Sequence, residues 1–131
     1  MKVLPVFFFL GICLLAGCYN DTQQELYGVT SQNAPCDTSG VTYSNTVSVK
    51  SISAIISANC SSCHSASTAA NNGGVILDNY AGLITQVNNG KLMGDITHSP
   101  GFNAMPVNAP MLDACTIAKI QHWIDMGKEN N

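Results

Sequence analysis

The pentapeptide Cys60-Ser61-Ser62-Cys63-His64 constrains this chain more than any other feature. It has the Cys-x-x-Cys-His pattern of covalent haem attachment. Two thiols separated by two residues reach the two vinyl groups of one haem and form thioethers. The histidine that follows is then held under the iron and supplies a proximal imidazole. Two chemical rivals have to be weighed, a redox dithiol and half of a zinc site. A thioredoxin-like dithiol is expected near a βαβ pattern, and no such alternation is visible. A tetrahedral zinc site needs four protein ligands. There is no second Cys-x-x-Cys and no paired histidines, so His98 and His122 could contribute only singly.

At 131 residues one small domain is the default. Only 10% of the chain is charged, arginine is absent, and the formal net charge is −3. Nothing here could neutralise a run of phosphates, which argues against a nucleic-acid partner.

The first residues read as a targeting segment. Lys2 is a minimal positive start, and Val3 to Ala16 is an almost unbroken apolar run, short for a bilayer span but suited to a secretory signal. It ends in Leu15-Ala16-Gly17-Cys18, which resembles the lipobox of bacterial lipoproteins. The expectation is a signal peptide over 1–17 and a lipidated Cys18 that tethers the exported chain to a membrane. The alternatives are an ordinary signal peptide with a chance cysteine and an uncleaved anchor. Residues 18–40 then form a polar tether, and 41–131 the folded domain.

The six cysteines divide among these roles. Cys13 leaves with the signal, Cys18 carries lipid, and Cys60 and Cys63 carry haem. Cys36 and Cys115 remain. In an exported protein a leftover pair reads as a disulfide; two buried free thiols are the other possibility.

Along the domain, Val41-Thr42-Tyr43 could form an extended stretch on the core. Val49, Ile52, Ile55 and Ile56 follow helical spacing, with Ser48 as a candidate N-cap, and this helix runs into Cys60. Ser65 to Gly74 is small and polar and reads as a loop, in which Gly73-Gly74 would allow close approach to a flat cofactor. A second helix is marked by Asp78 as N-cap, by Tyr80, Leu83, Ile84 and Val87, and by Asn89-Gly90 as a stop. Leu92 to Ile96 is a candidate third helix. Thr97 to Pro110 holds three prolines and must be irregular. The last helix begins near Asp113, buries Ile117, Ile120 and Ile124 with Trp123 beside them, and ends at Gly127. It is expected to cross the first helix.

With His64 as one axial ligand, function turns on the other. The candidates are Met93, His98, Met105, Met111 and Met126. Met93 and Met126 have ordinary packing roles on helices. Met105 sits in the irregular loop with Pro106 directly behind it, as a permanently occupied sixth position requires. It is the preferred ligand, with Met111 and His98 as alternatives. A thioether raises the potential, and two firm protein ligands leave no open position for oxygen or peroxide.

Residues 41–128 resemble a small class I c-type cytochrome domain. The likeness rests on a helix leading into Cys60-Ser61-Ser62-Cys63-His64, on Gly73-Gly74 with Leu77 and Tyr80, on Met105-Pro106, and on a terminal helix with Ile120 and Trp123-Ile124 before Gly127. It is most similar to monohaem lipoproteins of Gram-negative bacteria, some of which carry a cysteine pair placed like Cys36 and Cys115. The resemblance implies an all-α cytochrome c-like fold of three to four short helices around one haem c, with His64 and Met105 axial to its iron. It implies electron transfer in the periplasm, with redox proteins or a membrane oxidoreductase complex as partners. The chain lacks the lysine ring of mitochondrial relatives, so their partner surfaces cannot be carried over. The other readings are an electron-feeding or peroxidase-like subunit of a larger complex, and a haem-based ligand sensor.

Overall fold

In the computed structural model, which describes residues 35–131, the apolar spacings become helices and no strand forms among the described residues. The expected signal segment, the lipid at Cys18 and the tether as far as residue 34 lie outside the described residues.

Helix α1 spans Ile52–Asn59 and buries Ile52, Ile55 and Ile56 at the i, i+3, i+4 positions of one face. Its N-cap is Ser51, whose hydroxyl accepts from the Ala54 N–H at 3.3 Å. Ser48, the expected cap, instead begins a 3-10 turn, Ser48–Lys50. The reason is long-range. Thr42 accepts from the Ile52 N–H at 3.0 Å and donates to the Lys50 carbonyl at 3.2 Å. That bridge holds Ser51 extended, so α-helical geometry starts only after it. Val41, in the same short stretch, is buried on the core.

Cys60 closes α1 with a non-helical backbone (φ −125°, ψ −35°), and a separate one-turn helix, α2, follows over Ser61–His64. The described chain therefore has α-helices in five places, not the expected three to four, because the Cys-x-x-Cys-His segment makes its own turn. A second 3-10 turn, Ala69–Asn71, lies within the stretch read as a loop and buries Ala69.

Helix α3 covers Tyr80–Asn88 and is capped by Asn79, whose side chain accepts from the Gly82 N–H at 2.9 Å. Asp78 was the expected cap. Its carboxylate is committed elsewhere, accepting from the Ala66 N–H at 2.8 Å and from the Asn79 amide at 3.2 Å. Gly90, at φ +76°, turns the chain into α4, Lys91–Ile96, which buries Leu92 and Ile96. Helix α5, Ala114–Asp125, begins at Asp113, which accepts from the Thr116 N–H at 2.9 Å. Ile120 and Trp123 hold the centre of its buried stripe, while Ile117 and Ile124 are half-buried beside the core.

Helix α1 packs on α5 as expected, and α3 packs on α4. One core joins them: Val41, three isoleucines of α1, Leu77, Leu83, Leu92, Ile96, Ile120 and Trp123. Each fully buried side chain of this kind contributes about 1.5–3 kcal/mol. The Tyr43 ring meets Tyr80 edge-on at 5.1 Å and lies 6.1 Å from the Trp123 ring. Both partners also hold the end of the chain: Tyr80 Oη donates to the Lys128 carbonyl and Trp123 Nε1 to the Glu129 carbonyl. A disulfide joins Cys36 to Cys115, with Cα atoms 5.2 Å apart, and an ion pair of 2.8 Å joins Lys50 to Asp37. These fasten residues 35–40 to the domain.

Candidate haem site

The break at Cys60 and the single turn after it arrange the motif. The N–H groups of Cys63 and His64 both donate to the Cys60 carbonyl, at 3.1 and 2.9 Å. On such a turn, residues three and four apart share a face, which groups Cys60, Cys63 and His64. Neither cysteine is in a disulfide; Cys63 is exposed and Cys60 half-buried. Burial pushes the Cys60 thiol up to about 11, so it stays protonated at neutral pH. A thiol–disulfide exchanger depends on the opposite shift.

His64 is oriented by the chain that follows it. Its Nδ1 lies 3.2 Å from the Val75 carbonyl oxygen, and its own carbonyl accepts from the Leu77 N–H at 2.7 Å. A carbonyl can only accept, so Nδ1 carries the proton and Nε2 is left as the basic nitrogen. Histidines that bind metals generally carry an outer hydrogen bond of this kind, which fixes the tautomer and plane of the ring. The donor set thus fits the group that the sequence implies: two unpaired thiols on one helical turn and an imidazole with Nε2 uncommitted. The Val75 carbonyl escaped sequence reasoning because a main-chain oxygen carries no residue-type signal.

The return from α2 to Val75 depends on Gly73 and Gly74, both at positive φ (+74° and +71°). Gly74 donates to the Ala69 carbonyl at 2.8 Å. A Cβ at either glycine would enter open space, so their immediate role is the turn that delivers the Val75 carbonyl to His64.

The candidate sixth ligands separate by environment. Met93 packs against the core from α4. Met126 is 68% exposed and Met111 48% exposed. Met105 is half-buried in the irregular loop, with its N–H donating to the Asp95 carbonyl at 3.0 Å. His98 is engaged: its Nε2 lies 3.0 Å from the Met105 carbonyl oxygen. Among the described residues no three of His, Cys, Asp and Glu gather as a metal-binding group, and a histidine–methionine pair would not form one.

Comparison with protein-family models, with curated proteins and with solved structures finds no match to this chain. The fold and the site together define a small all-α, disulfide-bridged domain that presents a Cys-x-x-Cys-His turn.

Proposed function

We propose that this chain is a c-type cytochrome that carries single electrons, exported and tethered to a membrane through Cys18, facing the periplasm. The observation that carries the reading is the one-turn helix bearing Cys63 and His64, with Cys60 at its N-cap and His64 Nδ1 committed to Val75. A bound haem c would supply one-electron exchange between ferrous and ferric iron. Cys60 and Cys63 would hold it covalently. His64, kept in one tautomer by the Val75 carbonyl, would supply one protein ligand to its iron. Met105, on a loop tied to Asp95, would supply the other; a thioether there would favour reduced iron and leave no position open to small molecules. Redox proteins or a membrane oxidoreductase complex are the partners such a carrier serves.

The test is the spectrum of the holoprotein produced in a host that assembles c-type cytochromes. The oxidised protein is expected to show the weak near-infrared band of methionine sulfur on ferric haem. Met105→Ala abolishes it and Met111→Ala leaves it. Absence of the band, or ready binding of carbon monoxide by the reduced wild type, would move the reading to the peroxidase-like or ligand-sensing alternatives.

A further inference from the structure

Met105 is placed by hydrogen bonds to its own backbone, not by a helix. Its N–H goes to the Asp95 carbonyl at 3.0 Å. Its carbonyl, which can only accept, takes the proton on His98 Nε2 at 3.0 Å. This second contact joins residues seven apart in sequence and closes the loop that leaves α4. The imidazole therefore serves the Met105 backbone and is not free, through Nε2, to serve as a ligand itself.

His98 is built in at some cost. Its φ of +51° is a left-handed backbone that residues with side chains adopt uncommonly. Such a conformation persists where its surroundings over-determine it. Here the His98 N–H donates to the same Asp95 carbonyl, at 3.2 Å, that receives the Met105 N–H. Around this point the Asp95 carboxylate accepts from the Asn103 N–H at 2.9 Å, and the Ser99 N–H donates to the Gly94 carbonyl at 2.9 Å. One carbonyl and one imidazole thus hold the N–H and the carbonyl of Met105.

We propose that His98 is a positioning residue for Met105, an imidazole clamp that keeps the loop closed and the thioether presented. The inference rests on the reading of Met105 as the sixth ligand. It predicts that the clamp sets how often that ligand is released, and so how well an outside ligand competes, since apparent affinity scales with the open fraction.

Carbon monoxide binding to the reduced holoprotein reads that fraction. His98→Asn suits the left-handed backbone, but its amide is too short to reach. It is expected to raise the apparent carbon monoxide affinity by about two- to tenfold, the factor that one neutral hydrogen bond carries. Its near-infrared band is expected to bleach at lower urea than in the wild type. His98→Gln, whose amide nitrogen stands where Nε2 stood, is expected to restore wild-type behaviour. If Met105→Ala removes the band while His98→Asn binds carbon monoxide as the wild type does, the clamp is refuted and the ligand assignment survives. If Met105→Ala keeps the band, the assignment falls and takes the clamp with it.

Discussion

The Nδ1 of His64 lies 3.2 Å from the carbonyl oxygen of Val75, eleven residues further along the chain. This pairing leaves Nε2 as the nitrogen that can bind iron, and it makes the turn at Gly73-Gly74 part of the site. Gly74→Val should strain that turn, since Gly74 stands at φ +71°. Covalent haem should still attach through Cys60 and Cys63, but the reduced holoprotein should show a weakened proximal bond. Resonance Raman of the iron–imidazole stretch, read in a Met105→Ala background whose reduced iron lacks the sixth ligand, would detect this, and an unchanged stretch would deny the Val75 contact its orienting role.

Attachment itself has a sharp readout. Cys60→Ser and Cys63→Ser should each leave one thioether at most, and the double variant none. Haem staining of a denaturing gel, together with the pyridine haemochrome α band, which moves to longer wavelength for each vinyl group left unsaturated, distinguishes the three. Covalent haem persisting in the double variant would remove the basis of the proposed function.

The disulfide closes a long loop, its cysteines standing 79 positions apart. Chain entropy alone gives such a bridge up to about 4.5 kcal/mol, less whatever a haem at Cys60 and Cys63 already restrains. Cys36→Ser/Cys115→Ser should therefore lower the Tm measurably, while the visible spectrum stays that of the wild type. A change in the spectrum would mean that the bridge shapes the site as well as the fold.

Acid should weaken the domain in a defined direction. Asp113 is held below the usual carboxylate range, first by the Thr116 hydroxyl and then by the Thr116 N–H. Asp37 is lowered as well, first by the Lys50 ammonium and then by the Ser39 hydroxyl. Because both are depressed on folding, the unfolded chain takes up these protons first as pH falls. Their contribution is complete above the unfolded carboxylate value of about 3.9 and is lost as pH drops through the folded values. Asp37→Asn/Asp113→Asn should flatten the fall of Tm below about pH 4. A slope unchanged from the wild type would count against both shifts. Asp113→Ala, which removes the cap of α5 entirely, should cost about 1 kcal/mol at neutral pH.

Gly82 lies in the first turn of α3, where an added Cβ would collide with the Ile76 carbonyl oxygen. The obstacle is backbone and cannot rotate away. Gly82→Ala should destabilise by about 1–3 kcal/mol, despite the better helix propensity of alanine. A stabilised variant in urea unfolding would show that α3 sits further from the 75–77 segment than described.

The parts of the molecule differ in how far sequence exposes them. Residue types at fixed spacing are local information. The isoleucines of α1, the stripe of α5 and its start near Asp113, and the Cys60-Ser61-Ser62-Cys63-His64 motif were all readable for that reason. The leftover cysteines Cys36 and Cys115 could be paired by count, and the structure joins them. Two cap assignments failed because each depended on a distant partner. The Thr42 bridge displaced the start of α1 from Ser48 to Ser51, and the Ala66 N–H drew Asp78 away from capping, leaving Asn79.

By itself, then, the sequence determined the helical class, the covalent chemistry open to two thiols and an imidazole, and a short choice of further ligands. The tertiary structure decided which nitrogen of His64 stays free and what holds Met105 in place. Both depend on main-chain carbonyls, those of Val75 and Asp95, and every residue has a carbonyl. Only folding selects which of them meets a given side chain, so no pattern of residue types could have pointed to either. His98 shows this most directly: its side-chain type suits an iron ligand, but the fold sets its Nε2 3.0 Å from the Met105 carbonyl oxygen.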